Sequence, residues 1–171
     1  MIELKTREQI MKEQSEMFVG NLLVKMFYPN IVSFFVNKAG IEEMKKRVIQ
    51  VGEIVGQKML EIWAPKEKKI KKLIKIFFKK MWDNKVVVLK RKTKEKTTYR
   101  IIDKNCRFCN PEVMLEGVEK PCVTIVGYIQ ACLDYLSERS HLPVCSAMSV
   151  QTVKSRGGGD KYCEHQIELT R

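Results

Sequence analysis

The chain has 171 residues, of which 44% are hydrophobic and 30% charged, a balance typical of one globular domain and too apolar for a disordered chain. The formal net charge is +12, but no apolar stretch approaches the roughly 20 residues of a membrane span, and the first residues carry no apolar signal core. We therefore expect a single domain over residues 1–171, located in the cytoplasm.

Helical periodicity dominates the first half of the chain. The first predicted helix covers residues 7–38, where Pro29 should kink or break it, and Gly40 is placed to end it. The third covers residues 66–82 and has the clearest pattern in the sequence. Its apolar residues fall at three- and four-residue steps and predict a wide buried stripe, while lysines fill the opposite face.

The second predicted helix, residues 41–63, carries Gly52 and Gly56 one turn apart. Glycine costs a helix about 1 kcal/mol relative to alanine, so two on one stripe indicate close approach of another backbone or of a ligand. Missing side chains would leave room that close packing normally fills. Apolar and aromatic side chains are typical walls of small-molecule pockets. The candidate pocket therefore consists of Gly52, Gly56, Met59, Trp63, Phe77 and Phe78.

The second half changes to a period of two. Branched and aromatic residues at 85–92 and 97–103 predict a hairpin, and residues 122–139 predict a fourth helix. Strands at 143–154 and 161–170, joined by a glycine turn at 155–160, predict a second hairpin. The resulting order is αααββαββ. It predicts an α+β fold in which helices pack on a four-stranded antiparallel sheet.

Two segments resemble the 4-vinyl-reductase domain family, which is related to subunits of the TRAPP vesicle-tethering complex. Pro121-Cys122-Val-Thr-Ile-Val-Gly127-Tyr128 begins a helix, and Gly159-Asp160-Lys-Tyr-Cys163 is similar to the family's Gly-Asp-x-x-Cys turn before its last strand. The glycine-bearing helix at 41–63 and the order of elements agree, so the resemblance covers roughly residues 14–170. Its specific part is the last fifty residues.

The resemblance implies a TRAPP-subunit-like fold with a buried apolar cavity that binds small hydrophobic or aromatic molecules. It also implies a homodimer and a domain that is not itself a catalyst. In aromatic-sensing relatives, zinc is held by two residues that correspond to Cys122 and Cys163, with a glutamate and a cysteine where this chain has Thr152 and Ser155. That part of the pattern is therefore broken here.

The Cys-x-x-Cys pair of Cys106 and Cys109, just before the fourth helix, can replace the two missing ligands. Four thiolates suit a closed, structural zinc site, so we predict zinc held by Cys106, Cys109, Cys122 and Cys163. An iron–sulfur centre uses the same ligand set, and ordinary half-buried thiols are a third interpretation. Outside this set we expect Cys132 to lie in the core and leave Cys145 open, and His165 is a weaker ligand candidate.

The basic charge is concentrated in residues 66–96, which hold fourteen Lys/Arg against three acidic residues. A solvated helix face explains this pattern, but nucleic acid or an anionic membrane surface are alternative partners. With two histidines and no nucleophile elbow or Walker loop, the sequence does not indicate an enzyme. The leading hypothesis is a ligand-binding or sensing domain with a structural zinc, and the second is a TRAPP-like interaction module.

Overall fold

Three helices and one sheet make up the fold in a computed structural model that describes residues 7–109, 117–142 and 145–170. In the first helix, side chains are described only at 24 and from 26 onward. The helices are α1 (Arg7–Trp63), α2 (Ile70–Trp82) and α3 (Thr124–Glu138). The strands are β1 (Val87–Lys92), β2 (Lys96–Asp103), β3 (Ala147–Lys154) and β4 (Cys163–Thr170). Within these residues no helix is both long and apolar enough to cross a membrane.

The first two predicted helices run together as α1 and change direction at Gly40. There the backbone leaves helical geometry, with φ 82° and ψ 171°, a conformation that glycine adopts without a side-chain penalty. The predicted boundary at Gly40 is therefore a real break. The break expected at Pro29 is wrong, because the backbone stays helical through it. Asn30 adds a hydrogen bond to this turn by donating its Nδ2 to the Met26 carbonyl at 2.7 Å.

The sheet has the strand order β1-β2-β4-β3, and every neighbouring pair is antiparallel. The two predicted hairpins, β1–β2 and β3–β4, meet where β2 pairs with β4. In that pairing Asp103 is opposite Cys163, and Tyr99 is opposite Ile167. The alternating residues Cys163, His165, Ile167 and Leu169 are buried. The α+β fold with a four-stranded antiparallel sheet is confirmed.

The apolar stripe of α2 is buried as its spacing predicted. Its buried residues are Ile70, Leu73, Ile74, Phe77, Phe78 and Trp82. The lysines of this helix are all exposed, so the opposite face is solvated. The helix ends at Trp82, and the next residue, Asp83, is its C-cap and has a left-handed backbone conformation (φ 50°).

Helices α1 and α3 approach closely because three glycines lie between them. A Cβ at Gly52 would overlap the Thr124 carbonyl oxygen, and a Cβ at Gly127 would overlap that of Ile49. A Cβ at Gly56 would lie 2.8 Å from the Ala131 Cβ. The Thr124 hydroxyl donates to the Val48 carbonyl at 2.8 Å across the same contact. Close helix packing therefore fills the space expected at Gly52 and Gly56, and the ligand groove predicted there is wrong.

Candidate metal centre

Four cysteines from three separate segments meet where the end of β2 and the start of β4 face α3. Cys106 and Cys109 lie in the turn that follows β2, Cys122 lies in a short 3-10 turn over Pro121–Val123, and Cys163 opens β4. All four side chains are buried, and their sulfur atoms lie within 4.8 Å of one another. The structure thus brings together the four cysteines that the sequence analysis selected.

The sulfur spacing suits one tetrahedral ion. With Zn–S bonds of about 2.3 Å, the sulfurs of a tetrahedral site are roughly 3.8 Å apart. The Cys109 sulfur lies 3.4 Å from that of Cys163, and the Cys122 sulfur lies 3.7 Å from it. The cluster therefore has the ligand type, number and approximate spacing of a structural zinc site, while an iron–sulfur centre has the same ligand type and number.

The glycine turn between β3 and β4 makes the cluster compact. A Cβ at Gly157 would overlap the Pro121 ring, and one at Gly158 would overlap the Glu119 carbonyl oxygen. The turn therefore lies directly against the segment that carries Cys122. Asp160 holds the turn by accepting a hydrogen bond from the Ser155 amide at 2.8 Å. Cys163 is thereby held beside Cys122.

Two neighbouring groups contact the sulfur atoms without belonging to the predicted ligand set. The Ser155 hydroxyl lies 3.3 Å from the Cys109 sulfur and 3.5 Å from the Cys122 sulfur. The Arg156 amide donates to the Cys163 sulfur at 3.2 Å. Such donors stabilise negative charge on sulfur, which is the usual task of groups around a metal–thiolate site. By the resemblance to the 4-vinyl-reductase family, Ser155 stands where aromatic-sensing members have a zinc ligand. Its role as a hydrogen-bonding neighbour of the sulfurs was not predicted.

The protonation states of the thiols are coupled. Hydrogen bonding to Cys109, Cys122 and Cys163, together with burial, holds the pKa of Cys106 well above its usual value. Hydrogen bonds from Cys106 and the other thiols lower the pKa of Cys109. Because buried thiolates repel one another, the cluster alone favours a mixture of thiol and thiolate. A bound divalent cation would favour the deprotonated form of all four.

The remaining ligand candidates lie outside the cluster. His165 is fully buried, and its Nδ1 lies 3.0 Å from the Thr152 hydroxyl, whereas its Nε2 has no hydrogen-bond partner among the described residues. Burial lowers the pKa of His165 to about 4, which keeps the ring neutral. Cys132 is fully buried in α3, as expected, and burial raises its pKa. Cys145 is half-buried and is not among the clustered cysteines.

The proposed pocket residues belong to the hydrophobic core. Phe77 and Phe78 are buried, and Met59 and Trp63 pack against the same cluster of side chains. The clefts at the surface of the described residues include one of about 200 Å³ and one of about 640 Å³. Neither is lined by any of the six predicted pocket residues.

An aromatic cluster, which the sequence analysis did not predict, adjoins the cysteines. Trp82 is its centre, with ring centroids 4.9 Å from Phe78, 5.5 Å from Phe108 and 5.0 Å from Tyr128. Phe108 lies between Cys106 and Cys109 in the chain, so the aromatic cluster and the sulfur cluster are continuous. All three contacts are edge-on, the geometry that aromatic rings favour. Burial raises the pKa of Tyr128 to about 12.

No protein-family model matches the sequence, and no curated protein matches it. Several solved structures share its fold, two of which are a subunit of a trafficking complex and a sensory domain. Trafficking protein particle complex subunit 3 from Naegleria fowleri, covalently bound to palmitic acid, aligns with a TM-score of 0.68 and 17% identity over 90% of this chain and 96% of its own. The phenol-responsive sensory domain of the transcription activator PoxR, with phenol, aligns with a TM-score of 0.62 and 11% identity over 82% of this chain and 72% of its own. The chain therefore has a fold found in TRAPP subunits and in a phenol-sensing domain.

Proposed function

We propose that this chain is a non-enzymatic binding domain, similar to the 4-vinyl-reductase family, whose fold is held together by a zinc ion at Cys106, Cys109, Cys122 and Cys163. The observation that carries the proposal is the sulfur cluster, in which four buried sulfurs lie within 4.8 Å of one another. A closed four-thiolate site leaves no open coordination position for a substrate, so the zinc has a structural role.

The ligand of this domain is a hydrophobic or aromatic small molecule. Two neighbours of the same fold were solved with palmitic acid and with phenol, which supports an apolar ligand here. Because α3 occupies the space at Gly52 and Gly56, the binding region shifts to the aromatic cluster of Phe77, Phe78, Trp82, Phe108 and Tyr128. These rings pack edge-on against each other, so an apolar ligand would have to enter between them.

The test combines native mass spectrometry with a thermal-shift screen. Native spectra of the purified protein report bound metal, co-purified ligand and oligomeric state in one measurement. Phenol and palmitic acid are the first compounds to screen. Cyclohexanol is a control for phenol that retains the hydroxyl without an aromatic ring, and acetic acid is a control for palmitic acid that retains the carboxylate without the chain. If no compound raises the melting temperature, the ligand-binding proposal fails even if zinc is present.

A TRAPP-like interaction module is the second candidate, and one observation favours it. Helix α1 exposes large apolar side chains at helical spacing before Gly40, where Phe27 and Phe34 are each more than half exposed and Ile31 is 46% exposed. Contiguous exposed apolar surface is typical of protein–protein contacts. The partner that this candidate requires is a second copy of the chain, in a homodimer. Phe27→Glu with Phe34→Glu should yield monomers in sedimentation experiments, whereas Asn37→Glu with Lys38→Glu on the same helix should not.

A further inference from the structure

The cleft of about 640 Å³ lies between the start of α2, the β1–β2 hairpin and the segment after α3. Its volume falls within the roughly 300–1,000 Å³ of typical small-molecule sites. None of the four clustered cysteines and none of the rings of the aromatic cluster around Trp82 lines it. Its polar lining consists of Lys68, Lys69, Lys71, Lys90, Tyr99 and His141.

Positive charge in this cleft has no acidic partner within the part of the chain that the structure describes. Four lysines line it and no carboxylate does. Among the described residues, none of the four forms a salt bridge, whereas Lys79 and Lys96 of the same basic segment pair with Asp83 and Glu168. Like charges that converge on a concave surface raise the local potential and attract anions. The basic segment is therefore not a uniform solvated face, because part of its charge is gathered around one cleft.

The start of α2 adds to this potential. Lys69 is the N-cap residue and makes no side-chain capping bond, and the first turn contains no acidic residue. The first amide groups of a helix lack partners within the helix, and they carry partial positive charge. Ile70 and Lys71, which open the helix, both line the cleft. The helix start and the lysines therefore both favour an anionic ligand.

The chemistry of the lining distinguishes among anions. No arginine lines the cleft, so the planar two-point pairing that carboxylates form with guanidinium is absent from it. Separate lysine ammonium groups act as point charges and are common phosphate ligands. The Lys90 Nζ lies 5.4 Å from the centroid of the Tyr99 ring, which favours a position of this ammonium over the cleft wall. Ammonium groups around the start of α2 and on β1 can contact different oxygens of one ligand group, which suits a phosphate.

We propose that this cleft binds the phosphate group of a small molecule, either a soluble phosphate compound or a phospholipid headgroup. Lys68 and Lys69 lie just before α2 and Lys71 lies in its first turn, and these three lysines and Lys90 of β1 would contact the phosphate. The apolar floor includes Ile70 and Tyr99, which are 5% and 6% exposed, and it contacts the rest of the ligand. The binding is noncovalent and independent of the zinc and apolar-ligand proposals.

Calorimetry with pyrophosphate and ATP tests the soluble source, with adenosine as the control that lacks phosphate. Flotation with phosphatidylcholine vesicles, with and without phosphatidic acid, tests the lipid source. The cleft variant is Lys71→Glu with Lys90→Glu. Its matched control is Lys72→Glu with Lys92→Glu, which makes the same change of charge on the same two elements outside the cleft. Circular dichroism melts of both variants check that they fold.

We expect at least one phosphate probe to bind, and the cleft variant to weaken binding by at least about tenfold while the control changes it by less than about threefold. Binding of ATP or pyrophosphate identifies a soluble ligand. Binding only to phosphatidic acid vesicles, lost in the cleft variant, identifies a lipid headgroup. Equal losses in the two variants would show diffuse attraction to the whole basic segment and would overturn the proposal. Binding of duplex DNA without any binding of the phosphate probes or the vesicles would also overturn the proposal. Absence of binding to every probe would overturn it as well.

Discussion

The sulfur atoms of Cys109 and Cys163 lie 3.4 Å apart, although 54 positions separate the two residues in the chain. The contact joins the turn after β2 to the first residue of β4. Because Asp103 is opposite Cys163 in the sheet, the pairing of β2 with β4 brings the Cys-x-x-Cys turn close to the last strand. The sulfur contact thus adds to the β2–β4 pairing at the end of the sheet where the two hairpins meet.

Purified protein should contain about one tightly bound zinc ion per chain, because the four sulfurs match a closed tetrahedral site. Elemental analysis of protein prepared without chelators checks the ratio. A colourless preparation would distinguish zinc from an iron–sulfur centre, which absorbs visible light. The prediction would be contradicted if the purified protein contained no metal and addition of zinc left its melting temperature unchanged.

Replacement of one clustered cysteine should strongly destabilise the fold. Structural zinc in small peptides contributes on the order of 10 kcal/mol to folding, and Cys109→Ser or Cys163→Ser removes one ligand. Cys145→Ser is the matched control, because Cys145 is half-buried and outside the cluster. Thermal melts with and without a chelator measure the effect. The chelator should lower the melting temperature of the control and have little further effect on the ligand variants.

Gly52→Ala or Gly127→Ala should destabilise the protein by at least about 2 kcal/mol. The loss should occur even though alanine has a helix propensity about 1 kcal/mol more favourable than that of glycine. Each new Cβ would overlap a backbone carbonyl of the facing helix. Gly56→Leu should act in the same way, through Ala131 and Tyr128, and not by filling a ligand pocket. Val51→Ala, at an exposed position of α1, is the control and should have little effect. Urea denaturation measures these differences.

Charge reversal on the outer face of α2 should leave folding nearly unchanged. Lys72 and Lys79 are both exposed, and exposed charges contribute little to stability. Lys79 also lowers the pKa of Asp83 through a hydrogen bond on the helix surface, where solvent screens the interaction. We expect Lys72→Glu with Lys79→Glu to shift the melting temperature by less than roughly 3 °C. A much larger loss would mean that this face packs against another part of the protein.

Thr152→Val should destabilise the fold by about 1–3 kcal/mol, because it removes the hydrogen-bond partner of a buried ring. Within the described residues, the Nε2 of His165 already has no partner, so the variant would leave both ring nitrogens unpaired. The double variant Thr152→Val with His165→Leu removes both polar groups and should recover most of that loss. A double-mutant cycle from denaturant unfolding measures the coupling. Additive effects of the two substitutions would show that the pair does not interact.

The sequence by itself determined the order of elements and the buried stripe of α2. Both follow from local periodicity: the steps of three and four between Ile70 and Trp82 specify one helix face, and the alternation from Cys163 to Leu169 specifies one sheet face. The break at Gly40 also has a local cause, because its positive φ suits glycine. The four cysteines were selected from spacing and resemblance, without knowledge of their distances.

Only the tertiary structure decided what lies next to Gly52 and Gly56. A glycine pair indicates that something approaches closely, but a ligand and a second helix leave the same pattern in the sequence. Here Thr124 and Ala131 of α3 occupy the space. The aromatic contacts of Trp82 and the cleft that gathers Lys71 with Lys90 are likewise products of long-range packing. Such contacts join residues far apart in the chain, so no local period in the sequence records them.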